Sequence, residues 1–232
     1  IRTMRHCGEE TILPVTPMVT LQLRQLDVLP GQSLLLREVS WAEFEAILAE
    51  LGQHRNTRIA YTNGLLEIMA PLPEHEYFKE TISDALKDIA EELNQEYESY
   101  GSTTWRRQAA QAGLEADNCF YFQNEAQVRG KLEFDLTQDP PPDLALEIDI
   151  TRKSLARFPI YARLGVPEIW CYDTGTLKIY LLQQEQYFEV TQSRVFPALN
   201  IQALPQLIEA HRDRGRLALR RAIRAWVKQQ LT

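Results

Sequence analysis

The stretch Pro141-Pro142-Asp143-Leu144-Ala145-Leu146-Glu147-Ile148-Asp149-Ile150 carries the clearest sign of chemistry in the chain. Written as a β-strand, it turns Leu144, Leu146, Ile148 and Ile150 to one side and Asp143, Ala145, Glu147 and Asp149 to the other. Same-face neighbours on a strand lie about 7 Å apart, which puts Glu147 about 7 Å from Asp149 and about 14 Å from Asp143. Like charges aligned on one strand repel. Either something positive gathers them, and a hard divalent cation with oxygen ligands is the economical choice, or the face meets solvent or nearby arginines. Alternation alone leaves both readings open.

The elements around this strand are legible in outline. Ser40-Trp41-Ala42-Glu43 reads as a capping box opening an amphipathic helix that ends near Leu51-Gly52. Arg58 to Thr62 and Leu65 to Met69 flank Asn63-Gly64, a strong hairpin signal. A long helix is expected from about Glu74 to Tyr97, packed through Ile82, Leu86, Ile89 and Leu93. Strands are expected over 102–108, 118–123 and 144–150, then a broken helical stretch over 154–164. After Gly165-Val166-Pro167 come a strand over 168–172, a hairpin of 177–182 with 187–190, and a basic helix beginning near Leu204. That order favours a mixed-sheet α/β domain with helices on its faces. Residues 1–20 are expected to form an irregular arm and residues 21–232 one domain.

Composition narrows the possibilities. Apolar residues make up 44% and charged residues 25%, as in an ordinary globular chain rather than a disordered one. No apolar run approaches the roughly 18 residues of a membrane helix, and Ile1 to Val19 lacks the pattern of a secretory signal. Cys7, Cys119 and Cys171 match neither a disulfide framework nor a zinc site, so a reducing, cytoplasmic setting is expected. A net charge of −7 argues against a generic nucleic-acid coat protein. The charge is uneven, however: from Pro205 to Thr232 seven basic residues face two acids. That helix could touch phosphates or lie across an acidic face of its own domain. The second reading is preferred, because Leu217, Leu219, Ile223, Trp226 and Val227 give it an apolar stripe to bury.

Prolines before Asp143 and Glu147, followed by Tyr161-Ala-Arg-Leu-Gly165-Val-Pro-Glu168-Ile-Trp170, resemble the signature of a large bacterial family of restriction-endonuclease-like proteins in the PD-(D/E)xK superfamily. The similarity runs from about Val39 to Val190 and includes Tyr61-Thr-Asn-Gly64-Leu-Leu-Glu67-Ile-Met-Ala-Pro71 and Pro73-Glu-His75. The resemblance implies a restriction-endonuclease-like α/β core with acids on neighbouring strands holding Mg²⁺ or Mn²⁺. The first acid would be Asp117, preceded here by Ala116 instead of proline. The second would be Glu147. The pattern then wants a lysine two residues on, where this chain has Asp149.

Two remedies suit that departure. Asp149 is a third metal ligand, or a cation arrives from elsewhere: Lys153, Arg157, Arg106, Arg107 or Lys79. The expected site is Asp117, Glu147, Asp149 and Lys153, the first three as metal ligands. His75 reads more readily as a packing or capping residue than as a site residue, and Glu67 and Glu80 as surface charges. The resemblance thus implies a Mg-dependent endonuclease acting on DNA, with a homodimer addressing both strands through the apolar C-terminal helix. The alternative is a nuclease-fold module that binds nucleic acid or a protein without cutting.

Overall fold

The hairpin written into Asn63-Gly64 forms as expected. In the computed structural model, which describes residues 21–52, 55–149 and 155–231, both turn residues take positive φ, 45° and 83°, the twist that a two-residue hairpin requires. In chain order the elements are β1 (Ser33–Leu36), α1 (Trp41–Leu51), β2 (Arg58–Thr62), β3 (Leu65–Met69), α2 (Pro73–Glu92), β4 (Glu98–Ser99) and β5 (Thr104–Arg107). They continue with β6 (Ala112–Glu115), β7 (Asn118–Tyr121), α3 (Glu125–Val128), β8 (Leu144–Ile148), α4 (Phe158–Leu164) and β9 (Glu168–Asp173). The last are β10 (Thr176–Gln183), β11 (Gln186–Val190), α5 (Leu204–Ala210) and α6 (Arg216–Gln230). The expected arm at 1–20 lies outside the described residues.

The mixed α/β expectation holds, with the strands divided between two sheets. One has the order β1-β3-β2-β6-β5, all antiparallel; the other runs β11-β10-β9-β8-β7-β4. In the second sheet β8 and β9 are parallel, and their crossover carries α4. β6 and β7 belong to different sheets and are separated only by Ala116 and Asp117. The alternation read in β8 sorts its side chains into two cores. Leu144, Leu146 and Ile148 pack with Ile82, Leu86 and Trp170, and Ala145 with Cys119, Ile160 and Tyr161. At Asp143 and Glu147 the acidic face is therefore interior; only Asp149, beyond the strand, is exposed.

Two helix expectations need correction. α2 stops at Glu92 rather than Tyr97, because Asn94 takes φ 51° and the chain turns back to pair Glu98–Ser99 with β7. The C-terminal helix is two helices, interrupted before α6 by Gly215 at φ 83°. α6 lies on α2. Its Leu219, Ile223 and Val227 enter the same core as Ile82 and Leu86, so most of this stripe is buried within the chain, while Leu217 is exposed. Arg220 donates to both oxygens of buried Asp88 (2.9 and 2.8 Å), Arg224 adds two bonds to Oδ1 (3.0 and 2.8 Å), and Lys228 stands 3.2 Å from Glu92. The basic helix thus offsets the acidic one. No helix among the described residues is long and apolar enough to cross a membrane.

Asp88 is fully buried, while its two arginines keep access to water. Asp88→Ala is expected to cost about 2 kcal/mol or more, below the figure for a fully buried pair because the freed guanidiniums can rehydrate. Asp88→Asn should cost less. Urea unfolding of the three proteins checks the order.

Candidate active site

Asp117 occupies the two-residue link between the sheets, and its carboxylate is 2% exposed on the residue scale. Such a group must find donors. Its Oδ2 accepts from the backbone N–H of Ile148 at 2.7 Å, across the ladder that joins β7 to β8. His75 Nε2 stands 3.0 Å from the same oxygen. His75 lies in the first turn of α2 and is fully buried. Its other ring nitrogen is 3.7 Å from Glu76 Oε1. The histidine read as a packing residue is therefore an orienting neighbour of the acid.

The peptide that binds Asp117 follows Glu147 directly, so the two acids are tied through one backbone unit. Glu147 is buried, and its Oε1 accepts from the Tyr161 hydroxyl on α4. Arg157 Nη1 lies 3.6 Å from that oxygen and donates to the Glu115 carbonyl at 3.0 Å. Its Nη2 lies 3.7 Å from Glu67 Oε2. Arg157 and Tyr161 are four apart at the start of α4 and reach the same carboxylate, as that spacing allows. Pro159 does not break the helix; it sits in the first turn, where its missing N–H was not needed. Burial works against the Arg157 charge more than any other single influence. Glu147, Tyr161, Asp117 and Glu67 together outweigh it, so the guanidinium is held charged more firmly than a free one. Burial, and then Glu147, push the Tyr161 phenol well up.

The expected residues thus meet different fates. Asp117 and Glu147 come together. Asp149 follows the end of β8 as an exposed residue, its N–H donating to Tyr172 O at 2.7 Å. Lys153 lies outside the described residues. Asp143, read as part of the same acidic face, instead caps a turn: it accepts from Phe122 N, Asn124 N and Asn124 Nδ2 at 2.8, 2.9 and 2.6 Å. Among the other cations weighed, Lys79 bonds Glu76, Arg106 pairs with Glu45, and Arg107 donates to the Leu136 carbonyl. Arg157 is the one whose guanidinium stands beside Glu147. Glu67, read as a surface charge, is fully buried. The available signal was its place between Leu66 and Ile68 on a strand that buries both faces, since Leu66 and Ile68 join one core and its cross-strand partner Ala60 another.

Residues 41–218 match the model of the Uma2 family, whose description is "Putative restriction endonuclease". The chain belongs to this family. Among solved structures, the matches include one described as the "Crystal structure of a putative nuclease belonging to DUF820 from Anabaena variabilis ATCC 29413". It is 11% identical, covers 73% of this chain and 90% of its own, and superposes with a TM-score of 0.43. No curated protein matches the chain.

Restriction-endonuclease-like proteins usually use divalent metals. Among the described residues there is no group of three or more His, Cys, Asp or Glu arranged to hold one. The donor chemistry nevertheless suits a small hard ion. Asp117 and Glu147 offer carboxylate oxygens from adjoining segments, and Mg²⁺ commonly takes one or two carboxylates and completes its shell with water and substrate phosphate.

Removing the Arg157 guanidinium from its place beside two buried carboxylates is expected to cost about 3 kcal/mol or more in Arg157→Ala. Adding Glu147→Gln should recover part of that loss, and a double-mutant cycle in denaturant measures the coupling. A second expectation concerns acid. His75 first, then Lys79 and Arg58, hold the Glu76 carboxyl down to about 2 against its partial burial. A depressed carboxyl contributes stability that is present above its ordinary value of 4.5 and lost as pH falls toward 2. Glu76→Gln should flatten the stability–pH curve in that window, with the effect reduced by the exposure of Glu76.

Proposed function

We propose that this chain is a metal-dependent endonuclease that hydrolyses phosphodiester bonds, with Asp117 and Glu147 at its centre. The observation that carries this reading is the bond from Ile148 N–H to Asp117, which ties the buried acid of the inter-sheet link to the peptide that follows buried Glu147. Membership of the Uma2 family supplies the reaction class. Asp117 and Glu147 would hold Mg²⁺ or Mn²⁺, which when bound supplies Lewis-acid charge at the phosphoryl oxygens.

The remaining work falls to the chain itself. Tyr161 fixes Glu147, and His75 and Ile148 N–H fix Asp117, so neither carboxylate must reorganise when substrate arrives. Arg157 places a permanent positive charge beside Glu147, in the electrostatic part of the role that Asp149 cannot fill. It cannot act as a base, because its proton is held too tightly. DNA is the proposed substrate, the cytoplasm the proposed setting, and a homodimer the assembly that would address both strands. Asp149 and Lys153 stay in the proposal as a further ligand and a further cation. A non-hydrolytic binding module is the second reading, favoured by one observation: the cation beside Glu147 is pinned to the Glu115 carbonyl.

Incubation with plasmid and with labelled single and double strands, in Mg²⁺, Mn²⁺ or EDTA, tests the proposal. The wild type should cut with metal and not with EDTA. Asp117→Asn and Glu147→Gln should lower the rate by at least about a hundredfold while melting cooperatively. Wild-type rates in both variants would remove these residues from the centre. Binding without cleavage in any metal would establish the second reading.

A further inference from the structure

A cleft of about 600 Å³ opens beside the candidate site, and three arginines line it: Arg55, Arg58 and Arg106. Thr57, Thr104 and Glu115 are also part of its wall. Glu115 is common to both places. Its backbone carbonyl receives Arg157, while its carboxylate faces the cleft side. Only Ala116 separates Glu115 from Asp117, so their Cα atoms are at most about 7 Å apart along the chain. Arg58, on the strand paired with that of Glu115, is linked as well. Arg58 Nη2 reaches Glu76 Oε1 at 3.5 Å, and that oxygen is 3.7 Å from the His75 ring, whose far nitrogen meets Asp117.

The hydrogen-bonding capacity of this wall is lopsided. The Glu115 carboxylate is already engaged by Arg55, by the Thr104 hydroxyl at 2.5 Å and by Ile59 N–H at 3.2 Å. The other acid of the wall is Glu133, and the remaining polar side chains are arginines and hydroxyls. Arg55 Nε, Arg58 Nε and Thr57 Oγ1 are buried and have no hydrogen-bond partner among the described residues, while the Arg55 and Arg58 side chains as wholes are 13% and 11% exposed. Among the described residues Arg106 pairs with Glu45 in an exposed pair, 46% and 38% exposed, which water can replace at little cost. A wall of guanidinium and hydroxyl donors beside a phosphodiester-cutting centre suits a ligand that offers acceptors and negative charge.

We infer that this cleft seats the sugar–phosphate backbone next to the scissile phosphate, with Arg58 and Arg106 as its phosphate contacts and Arg55 holding Glu115 in place beneath them. The inference rests on the nuclease reading of the neighbouring site and adds where the substrate strand runs. The backbone chemistry is shared by DNA and RNA.

The test is fluorescence-anisotropy titration of labelled DNA and RNA of one sequence, as single strands and duplexes, in EDTA over 50–200 mM salt. Arg58→Gln/Arg106→Gln should weaken binding at least about tenfold. It should also reduce the slope of log affinity against log salt by roughly 1.5, since each lost phosphate contact removes about 0.7–0.9. The Arg58→Lys/Arg106→Lys pair should restore most of the slope. Arg106→Gln alone, at an exposed side chain, keeps the test readable if the double variant does not fold, with a reduction of about 0.7–0.9. A shift on DNA alone or RNA alone assigns the cleft to that polymer, and a shift on both to their common backbone. Unchanged affinity and slope in folded variants overturns the inference. If Glu147→Gln meanwhile abolishes cutting, the nuclease reading survives that failure. No binding of either polymer by the wild type overturns the inference as well.

Discussion

Burying carboxylates between two sheets is costly unless positive charge or donors are built in beside them, and Arg157 answers that constraint. Its guanidinium stands against Glu147 and Glu67 and is anchored by the Glu115 carbonyl. The three acids come from β3, β6 and β8, on both sheets, so the arginine also ties the sheets at the place where their strands diverge. A hydrophobic seam could join the sheets with less desolvation. It could not hold carboxylate oxygens between the sheets. The price of the site is met by donors: Tyr161, His75 and the peptide N–H of Ile148 each serve an acid that water no longer reaches.

Local patterns in the sequence specified the hairpin at Asn63-Gly64, the Ser40 cap and the alternation of β8, because each depends on residues within a few positions of one another. β1 and β6 escaped notice. Ser33–Leu36 and Ala112–Glu115 are four-residue strands whose existence depends on their partners β3, β2 and β5, not on their own composition. In the same way Glu92 ends α2 because the chain must return to β7, which no helical propensity records.

The site was legible in part. Glu147 stood out by alternation and Asp117 by family resemblance, and the structure brings them together. Asp143 shared the pattern but is used to cap the turn at Phe122 and Asn124, a demand of the fold that looks the same in sequence as a ligand. His75, Glu67 and Tyr161 were beyond local reading because their significance lies in contacts spanning many residues: His75 to Asp117, Glu67 to Arg157, Tyr161 to Glu147. The clearest marker of the family, Gly165 to Trp170, has a structural meaning of its own. Glu168 is fully buried and accepts from Trp170 Nε1, Ser193 Oγ, and the N–H groups of Arg194 and Val195, fastening β9 to the chain beyond β11. Burial nonetheless raises its carboxyl above the ordinary value.

The position of Asp117 in a two-residue link has a kinetic consequence. Each sheet is built largely of hairpins that close over short distances, whereas the groups around Asp117 come from segments as far apart as Glu67 and Arg157. Closing such long loops is slow relative to making a local hairpin. A nascent or partly unfolded chain can therefore hold most of its secondary structure and still have no assembled centre. Docking of the sheets is the step that brings Asp117 and Glu147 together, so their arrangement exists only in chains that have completed their folding.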